Sequence, residues 1–332
     1  MKKFMNEADT FVAESLDGFV RAYDGLVMFG SDRKFIRRRH LKEGKVAIIS
    51  GGGAGHEPMH VGFVGHGMLD AACTGHVFTS PTPDQILAAI ENCDTGAGTL
   101  LIVKNYDGDV MNFEMAAEMA ETSGRHVGMV IVNDDIAGTE APRSSGRRGV
   151  AGTLVVEKII GAAAETGMSI EALRRLGEET VTATRSKGVA IGGATVPGGT
   201  AATFTLGPDE MEVGVGIHGE PGRARVVLEN AATIADLLVH DVTANLGVER
   251  GREILLFING FGSTPASELY LMYGALRQRV EAEGWTVTRS LVGTYVTSLD
   301  MAGLSLTLTV LDETGRKFWD APVLTPTLRW GC

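Results

Sequence analysis

Four of the five residues from Gly51 to Gly55 are glycine, and with Ser50 ahead of them they follow the apolar, partly β-branched run at 45–49. Glycine gives up more backbone entropy on folding than any other residue and buries no side chain, so such a cluster serves clearance, not packing. The backbone has to turn sharply and let a small polar ligand reach its amides. Residues 50–58 read S-G-G-G-A-G-H-E-P, which delivers one imidazole, His56, just ahead of Glu57 and Pro58. Proline suits the first turn of a helix, so the predicted order is strand, glycine loop, imidazole, helix start.

Other uses of the glycines fit the residues less well. A phosphate loop requires G-x-x-x-x-G-K-[ST], and no Lys-Ser or Lys-Thr follows. The dinucleotide pattern G-x-G-x-x-G, counted from Gly51, puts His56 where its last glycine belongs. Residues 56–60 spell H-E-P-M-H, formally the zinc-hydrolase string, but that string works only on one face of an unbroken helix. Pro58 lies between the two histidines, interrupts the helical ladder and biases Glu57 towards extended backbone. A plain turn has no use for so many glycines.

The pattern around this stretch is a strand followed by a helix, repeated. A helix is expected at 7–23, with Phe11, Leu16 and Phe19 among acids, and another continuing at 61–68. Residues 70–82 read as a polar loop, and 83–92 as a helix with Ile86, Leu87 and Ile90 on one face. Strands are expected at 99–103 and 126–132. The first runs into Lys104–Asp109 with a helix from about Met111, and the second ends at Asn133-Asp134-Asp135. A charged loop through 144–149, an Ala-rich helix at 152–166 and a helix at 170–184 complete a doubly wound α/β unit. Ligands bind such sheets outside the carboxyl ends of the strands, so the loops at 51–56 and 104–109 become neighbours if their strands pair. Asp134 and Asp135 are a conceivable metal pair, but adjacent carboxylates on an extended chain point apart, and both are read as solvated.

From about residue 185 the texture changes to short β-like runs at 188–194, 200–206 and 212–217. Helices at 226–246 and 267–283 follow, with strands at 253–259, 285–292 and 305–311. A length of 332 residues suits two domains, here an N-terminal α/β domain at 1–185 and a C-terminal one at 186–332. A net charge of −11 argues against nucleic acid and anionic membrane as partners, and Arg37-Arg38-Arg39 is too short to reverse that. Three cysteines, Cys73, Cys93 and Cys332, without C-x-x-C spacing suit a reducing cytosol. No leader or membrane-span pattern is present, so a cytoplasmic location is expected.

A second histidine stands out. Residues 212–222 read E-V-G-V-G-I-H-G-E-P-G, an alternating run that ends on His218 with glycines close on both sides. Core histidines do not normally come with so bare a neighbourhood. A neutral, uncrowded imidazole suits nucleophilic attack. His40, His60, His66, His76, His126 and His240 lack that setting and are read as structural or exposed.

Six further strings accompany these two: F-T-S-P-T-P-D at 78–84, V-K-N-Y-D-G-D at 103–109, G-R-R-G-V-A-G-T at 146–153, S-E-L-Y at 267–270, T-S-L-D-M-A-G at 297–303 and W-D-A-P at 319–322. In this order, over essentially the whole length, they resemble the dihydroxyacetone-binding subunit of dihydroxyacetone kinases, the DhaK family. The resemblance implies two α/β domains of that family's fold, a homodimer, and a triose site between the domains. It implies that His218 bonds the substrate carbonyl carbon as a hemiaminal, that His56 is the general acid/base and that Asp109 is its carboxylate counterpart. Gly53 and Lys104 correspond to contacts with substrate hydroxyls, and Ala54 and Gly55 to the rest of the binding stretch; Ala54 stands where many relatives have Ser.

The chemistry agrees. Dihydroxyacetone offers few contacts, and only its carbonyl accepts a nitrogen nucleophile, so a hemiaminal selects ketones and aldehydes over polyols. The attacking hydroxyl must lose a proton, which an imidazole or carboxylate can take, and the rest of phosphoryl transfer is positioning and charge stabilisation. No nucleotide motif and no magnesium-type carboxylate cluster is evident. The resemblance therefore implies no cofactor or metal on this chain. ADP or ATP with Mg would lie on a nucleotide-binding partner subunit, charged in many bacteria by a phosphotransferase-system donor, and this chain is expected to be incomplete alone. Two alternatives remain open. One is a kinase subunit for a four-carbon ketose such as erythrulose, since one more CH₂OH asks for only a slightly wider pocket. The other is a non-enzymatic triose sensor, which needs His218 but no base, so His56 and Asp109 together favour the enzyme.

Overall fold

The computed structural model describes residues 2–139, 146–220 and 222–332. They form two compact units: one from 2–132, 153–180 and 315–332, the other from the described residues of 133–152 and 181–314. The passage between units at Thr180 and Val181 lies close to the boundary expected at 185, but 133–152 and 315–332 each group with the other half of the chain. Hydrogen bonds explain both transfers. The Asp134 carboxylate accepts from the amides of Val150 and Gly152 and from the Ser186 hydroxyl, and the Asp134 carbonyl accepts from the Ser186 amide. In the tail, Leu324 N–H donates to His66 O at 2.9 Å, Thr327 N–H to Gly62 O at 3.1 Å, and the Lys158 ammonium to Phe318 O at 2.6 Å.

The first unit is built on β1 (Val27–Phe29), β2 (Ile36–Arg38), β3 (Ala47–Ala54), β4 (Ala71–Val77), β5 (Thr99–Lys104) and β6 (Val127–Val132). Their order is β1-β2-β4-β3-β5-β6, with the last four mutually parallel and β1 and β2 antiparallel at the edge. The helices are α1 (Phe11–Ala22), α2 (Pro83–Cys93), α3 (Asp107–Thr122), α4 (Gly152–Ala164) and α5 (Ile170–Thr182). Thr82 and Gln85 close a capping box on α2, with Pro83 in its first turn. Ile49, Ile86, Ile90, Leu101, Val103 and Phe113 pack in one buried cluster, as the alternation of strand and helix requires.

Three readings of this unit are corrected. The glycines are not a loop after the strand: β3 runs through them, and Gly51, Gly52 and Gly53 pair with Cys73, Thr74 and Gly75 of β4. That pairing makes 71–77 a strand, where its small and polar residues suggested a loop. The helix expected at 61–68 is only a single 3-10 turn, Val61–Phe63, because backbone groups there pair with the tail at Leu324 and Thr327.

The second unit carries β7 (Thr184–Gly192), β8 (Glu210–Val213), β9 (Ala224–Val227), β10 (Glu253–Gly260), β11 (Thr286–Gly293) and β12 (Ala302–Val310), in the order β11-β10-β12-β7-β8-β9. Only β10 and β11 pair in parallel. With α6 (Ala231–Ala244) and α7 (Ala266–Ala282) they enclose a core that includes Leu238, Val242, Ile254, Leu256, Leu276 and Leu306. Residues 200–206, expected as a strand, are irregular. The chain ends with α8 (Glu313–Asp320) and a hairpin of β13 (Val323–Leu324) and β14 (Arg329–Trp330). No helix among the described residues is long and apolar enough to cross a membrane.

Candidate functional site

In the first unit the parallel sheet reverses its winding at β3, which has β4 on one side and β5 on the other. The carboxyl ends of β3 and β5 are therefore adjacent, at the position where open α/β sheets take ligands. Lys104, the last residue of β5, is 1% exposed. Its ammonium donates to Gly51 O at 3.2 Å, lies 3.0 Å from His60 Nε2 and is 3.6 Å from Asp109 Oδ2. A methyl group on Gly52 would collide with that ammonium, so the glycine leaves the room Lys104 occupies. Asp109 is buried in the first turn of α3, where a carboxylate also complements the helix dipole, and its Oδ1 makes no hydrogen bond among the described residues. The helix begins at Asp107, four residues before the expected Met111, which moves Asp109 from loop to helix.

His56 follows β3, is 1% exposed and stacks on Phe78 with ring centroids 5.2 Å apart. The Gly55 amide donates to both Glu57 carboxylate oxygens, at 3.0 and 3.2 Å, and burial raises the Glu57 pKa. Gly53 lies so close to the turn after β4 that an added Cβ would sit 2.5 Å from Thr79 N. Ala54, also buried, pairs with Val77. His60, one of the histidines read as structural or exposed, is buried among polar partners: its Nδ1 is 2.6 Å from Glu157 Oε1 and 3.2 Å from Ser50 Oγ. Burial, then the charges of Lys104 and His56, hold His60 well below the usual imidazole range, whereas burial lifts Glu157 to about 8.

His218 belongs to the second unit and follows β8 in an irregular segment, with its side chain about one-fifth exposed. Glu220 grips it twice, accepting from the His218 amide at 3.0 Å and meeting Nδ1 at 3.0 Å. Burial opposes ionisation of Glu220, but hydrogen bonding and charge from His218, with the charge of Arg148, hold its pKa at about 2. Arg148 is itself fixed by Asp135, at 2.6 Å, and by Gly214 O, to which it donates at 2.8 Å. The glycines near His218 therefore do more than clear its surroundings, since a Cβ on Gly216 would strike Glu220 and lie 2.5 Å from Arg148 Nη1. A carboxylate at Nδ1 favours the tautomer with its proton there, which in a neutral ring puts the lone pair on Nε2. Asp134 and Asp135, read as solvated, are in fact fully buried and hydrogen-bonded, Asp135 through Arg148 and the Ala137 amide. Burial pushes Asp135 up to about 6.

In the first unit Gly53, Ala54, Gly55, His56, Lys104 and Asp109 lie together at one end of the sheet, and in the second unit His218 lies after β8 beside Glu220. Sequence reasoning missed Ser50, His60, Glu157, Arg148 and Glu220. Only Glu220 left a usable trace, as an acid two residues after an isolated histidine; Glu157 sits in an Ala-rich helix and reads as surface.

Two α/β units, one with a parallel sheet whose glycine-bearing strand leads to a buried imidazole, define the class of fold. The chain belongs to the Dak1 domain family, whose model matches residues 17–327. It is 46% identical over 313 residues to the dihydroxyacetone-binding subunit DhaK of PTS-dependent dihydroxyacetone kinase 1 from Listeria innocua, covering 94% of this chain and 95% of that one. Among solved structures it is similar to the dihydroxyacetone kinase of C. freundii, with a TM-score of 0.90 and 38% identity over 99% of this chain and 60% of that one. It is also similar to a dihydroxyacetone kinase operon co-activator, Dha-DhaQ, with a TM-score of 0.89 and 35% identity over 96% and 97%.

Proposed function

We propose that this chain is the substrate-binding subunit of a dihydroxyacetone kinase. It holds the triose covalently on His218 and presents a hydroxyl to a nucleotide-carrying partner subunit. The observation that carries the reading is the His218–Glu220 pair, an imidazole whose Nδ1 lies 3.0 Å from a carboxylate with its pKa held at about 2. In the proposed step the Nε2 lone pair forms a bond to the ketone carbon, the carbonyl π pair moves to oxygen, and that oxygen takes a proton from solvent water. Glu220 compensates the positive charge left on the ring. Lys104 and the Gly53–Gly55 backbone hold the hydroxyls, and His56 with Asp109 accepts the proton released as the hydroxyl oxygen attacks phosphorus. ADP or ATP with Mg would sit on the partner, recharged by a phosphotransferase-system donor or exchanged for ATP. The PTS-dependent relative supports the former.

Reconstitution tests this. The chain is mixed with a nucleotide-binding kinase subunit from a related system and offered trioses and tetroses, with either ATP or phosphoenolpyruvate plus phosphotransferase proteins. Phosphorylated ketose should appear only in the presence of both subunits. A labelled-triose adduct should be seen by intact mass and be absent in His218→Ala. Adduct formation without phosphoryl transfer under any donor would replace the kinase by a triose sensor, the reading that the co-activator's similarity favours. An unchanged adduct in His218→Ala would refute the covalent assignment.

A further inference from the structure

Behind Lys104 runs a row of buried polar groups with no assigned part in binding the ketose. Lys104 Nζ is 3.0 Å from His60 Nε2, and His60 Nδ1 is 2.6 Å from Glu157 Oε1 on α4. Ser50 Oγ, 3.2 Å from the same Nδ1, donates its hydrogen to Ile102 O at 2.7 Å, so towards His60 it can only accept. The proton of the neutral imidazole is then on Nδ1, and Nε2 accepts from the ammonium. The result is a carboxylate–imidazole–ammonium line that ends at Asp109. Burying three ionisable groups costs several kcal/mol that apolar residues of the same size would save, so their retention beside a reacting centre asks for a reason.

We propose that His60 and Glu157 are positioning residues of the phosphoryl-acceptor site, acting through Lys104: the imidazole aims the ammonium at Asp109 and the substrate hydroxyl, and the carboxylate balances its charge from the far end. This rests on the kinase reading above. The charged and titratable groups facing the row are Asp109 from α3, His56 and His60 from the segment after β3, Lys104 from β5 and Glu157 from α4. Glu157 Oε2 is buried and makes no hydrogen bond among the described residues, which leaves a place for a proton. Glu157, lifted to about 8 by burial, titrates near working pH while His60 stays neutral. As pH rises, Glu157 acquires the negative charge that keeps the ammonium in place. A glutamine mimics the protonated carboxyl and never acquires it.

The test compares wild type with Glu157→Gln in the reconstituted system from about pH 6.5 to about pH 9. The ratio of their kcat/KM values should widen roughly tenfold across that range, since an opposite charge at this distance is worth about one pKa unit. The adduct on His218 should form in both proteins, and His60→Gln should lose kcat/KM across the whole range. Parallel pH profiles for wild type and Glu157→Gln, or a uniform activity loss that tracks a fall in melting temperature, would overturn the proposal. Imidazole nitrogen NMR of wild type, with His60 assigned by its loss in His60→Gln, gives a readout independent of turnover. The proton must sit on Nδ1 with Nε2 bare throughout, and a doubly protonated ring or the reverse tautomer overturns the row. A wild type that is inactive with every donor while His60 shows that tautomer would instead fault the kinase reading alone.

Discussion

His218 shows how much a neighbour two residues away decides. An isolated imidazole samples both tautomers, and its nucleophilic nitrogen points where packing leaves it. Glu220 removes that freedom by holding Nδ1, and Arg148 holds Glu220 in turn across a 4.0 Å contact. Because Glu220 is ionised down to about pH 2, its charge is present throughout the range in which an imidazole titrates. Replacing it with glutamine leaves a hydrogen-bonding group but no charge to balance the ring after it attacks carbon. A charge-assisted hydrogen bond is worth about 1.5–3 kcal/mol, so Glu220→Gln is expected to weaken the triose adduct by roughly ten- to a hundredfold, read as the ketose concentration that half-saturates the mass increment. An unchanged half-saturation would show that the pair is structural. His218 and His56 were legible because glycines isolated them in the sequence. The more distant supports were not, since Glu157 reaches His60 and Arg148 reaches Glu220 across long sequence separations.

Among the elements, β3 carries the largest departure from expectation. A strand is usually recognised by β-branched and aromatic residues, and Ile48 and Ile49 gave that signal until the glycines cut it off. Beyond them the strand is held by pairing alone, and β4 beside it is equally featureless in sequence because two backbones this close leave no room for larger side chains. The remaining strands of the parallel sheet, β5 and β6, were legible as apolar β-branched runs, α2 and α5 because each buries one face at helical spacing, and α4, buried along its whole length, as an Ala-rich run. The role of clearance can be tested by contrast. Gly53→Ala puts a Cβ 2.5 Å from backbone at Thr79 and is expected to destabilise the fold by about 1–3 kcal/mol and to abolish ketose binding. Gly274→Ala, inside α7 with open space around it, should stabilise by up to about 1 kcal/mol. Chemical denaturation of both variants decides the matter; equal effects of the two would mean that β3 tolerates side chains and that its glycines are incidental.

At the scale of the whole molecule, the carboxylates divide into two sets that pull stability in opposite directions with pH. Glu220, held at about 2, and Glu165, lowered because the Arg38 and Lys45 charges outweigh its burial, stabilise the fold when ionised. That contribution is present above their unfolded value near 4.5 and is lost as pH falls towards about 2. Asp134, Asp135 at about 6 and Glu157 at about 8 are raised by burial, so the folded state prefers them protonated. Their contribution is complete below the unfolded values and is lost as pH rises through about 6 for Asp135 and about 8 for Glu157. The two trends cross on the mildly acidic side, and the melting temperature is expected to peak near pH 5 and to decline towards pH 8 and above. The same buried aspartates explain why a single cut at residue 185 misplaced 133–152: Asp134 ties that segment to Ser186 by bonds that burial strengthens and sequence conceals. Glu157→Gln removes one titration from the declining limb, so the variant should melt above wild type at about pH 8.5 while converging with it near pH 5. Since its activity should fall over the same interval in which its stability gains, the two measurements together separate a residue retained for chemistry from one retained for the fold. A variant that melts below wild type at every pH would place Glu157 among the stabilising contacts.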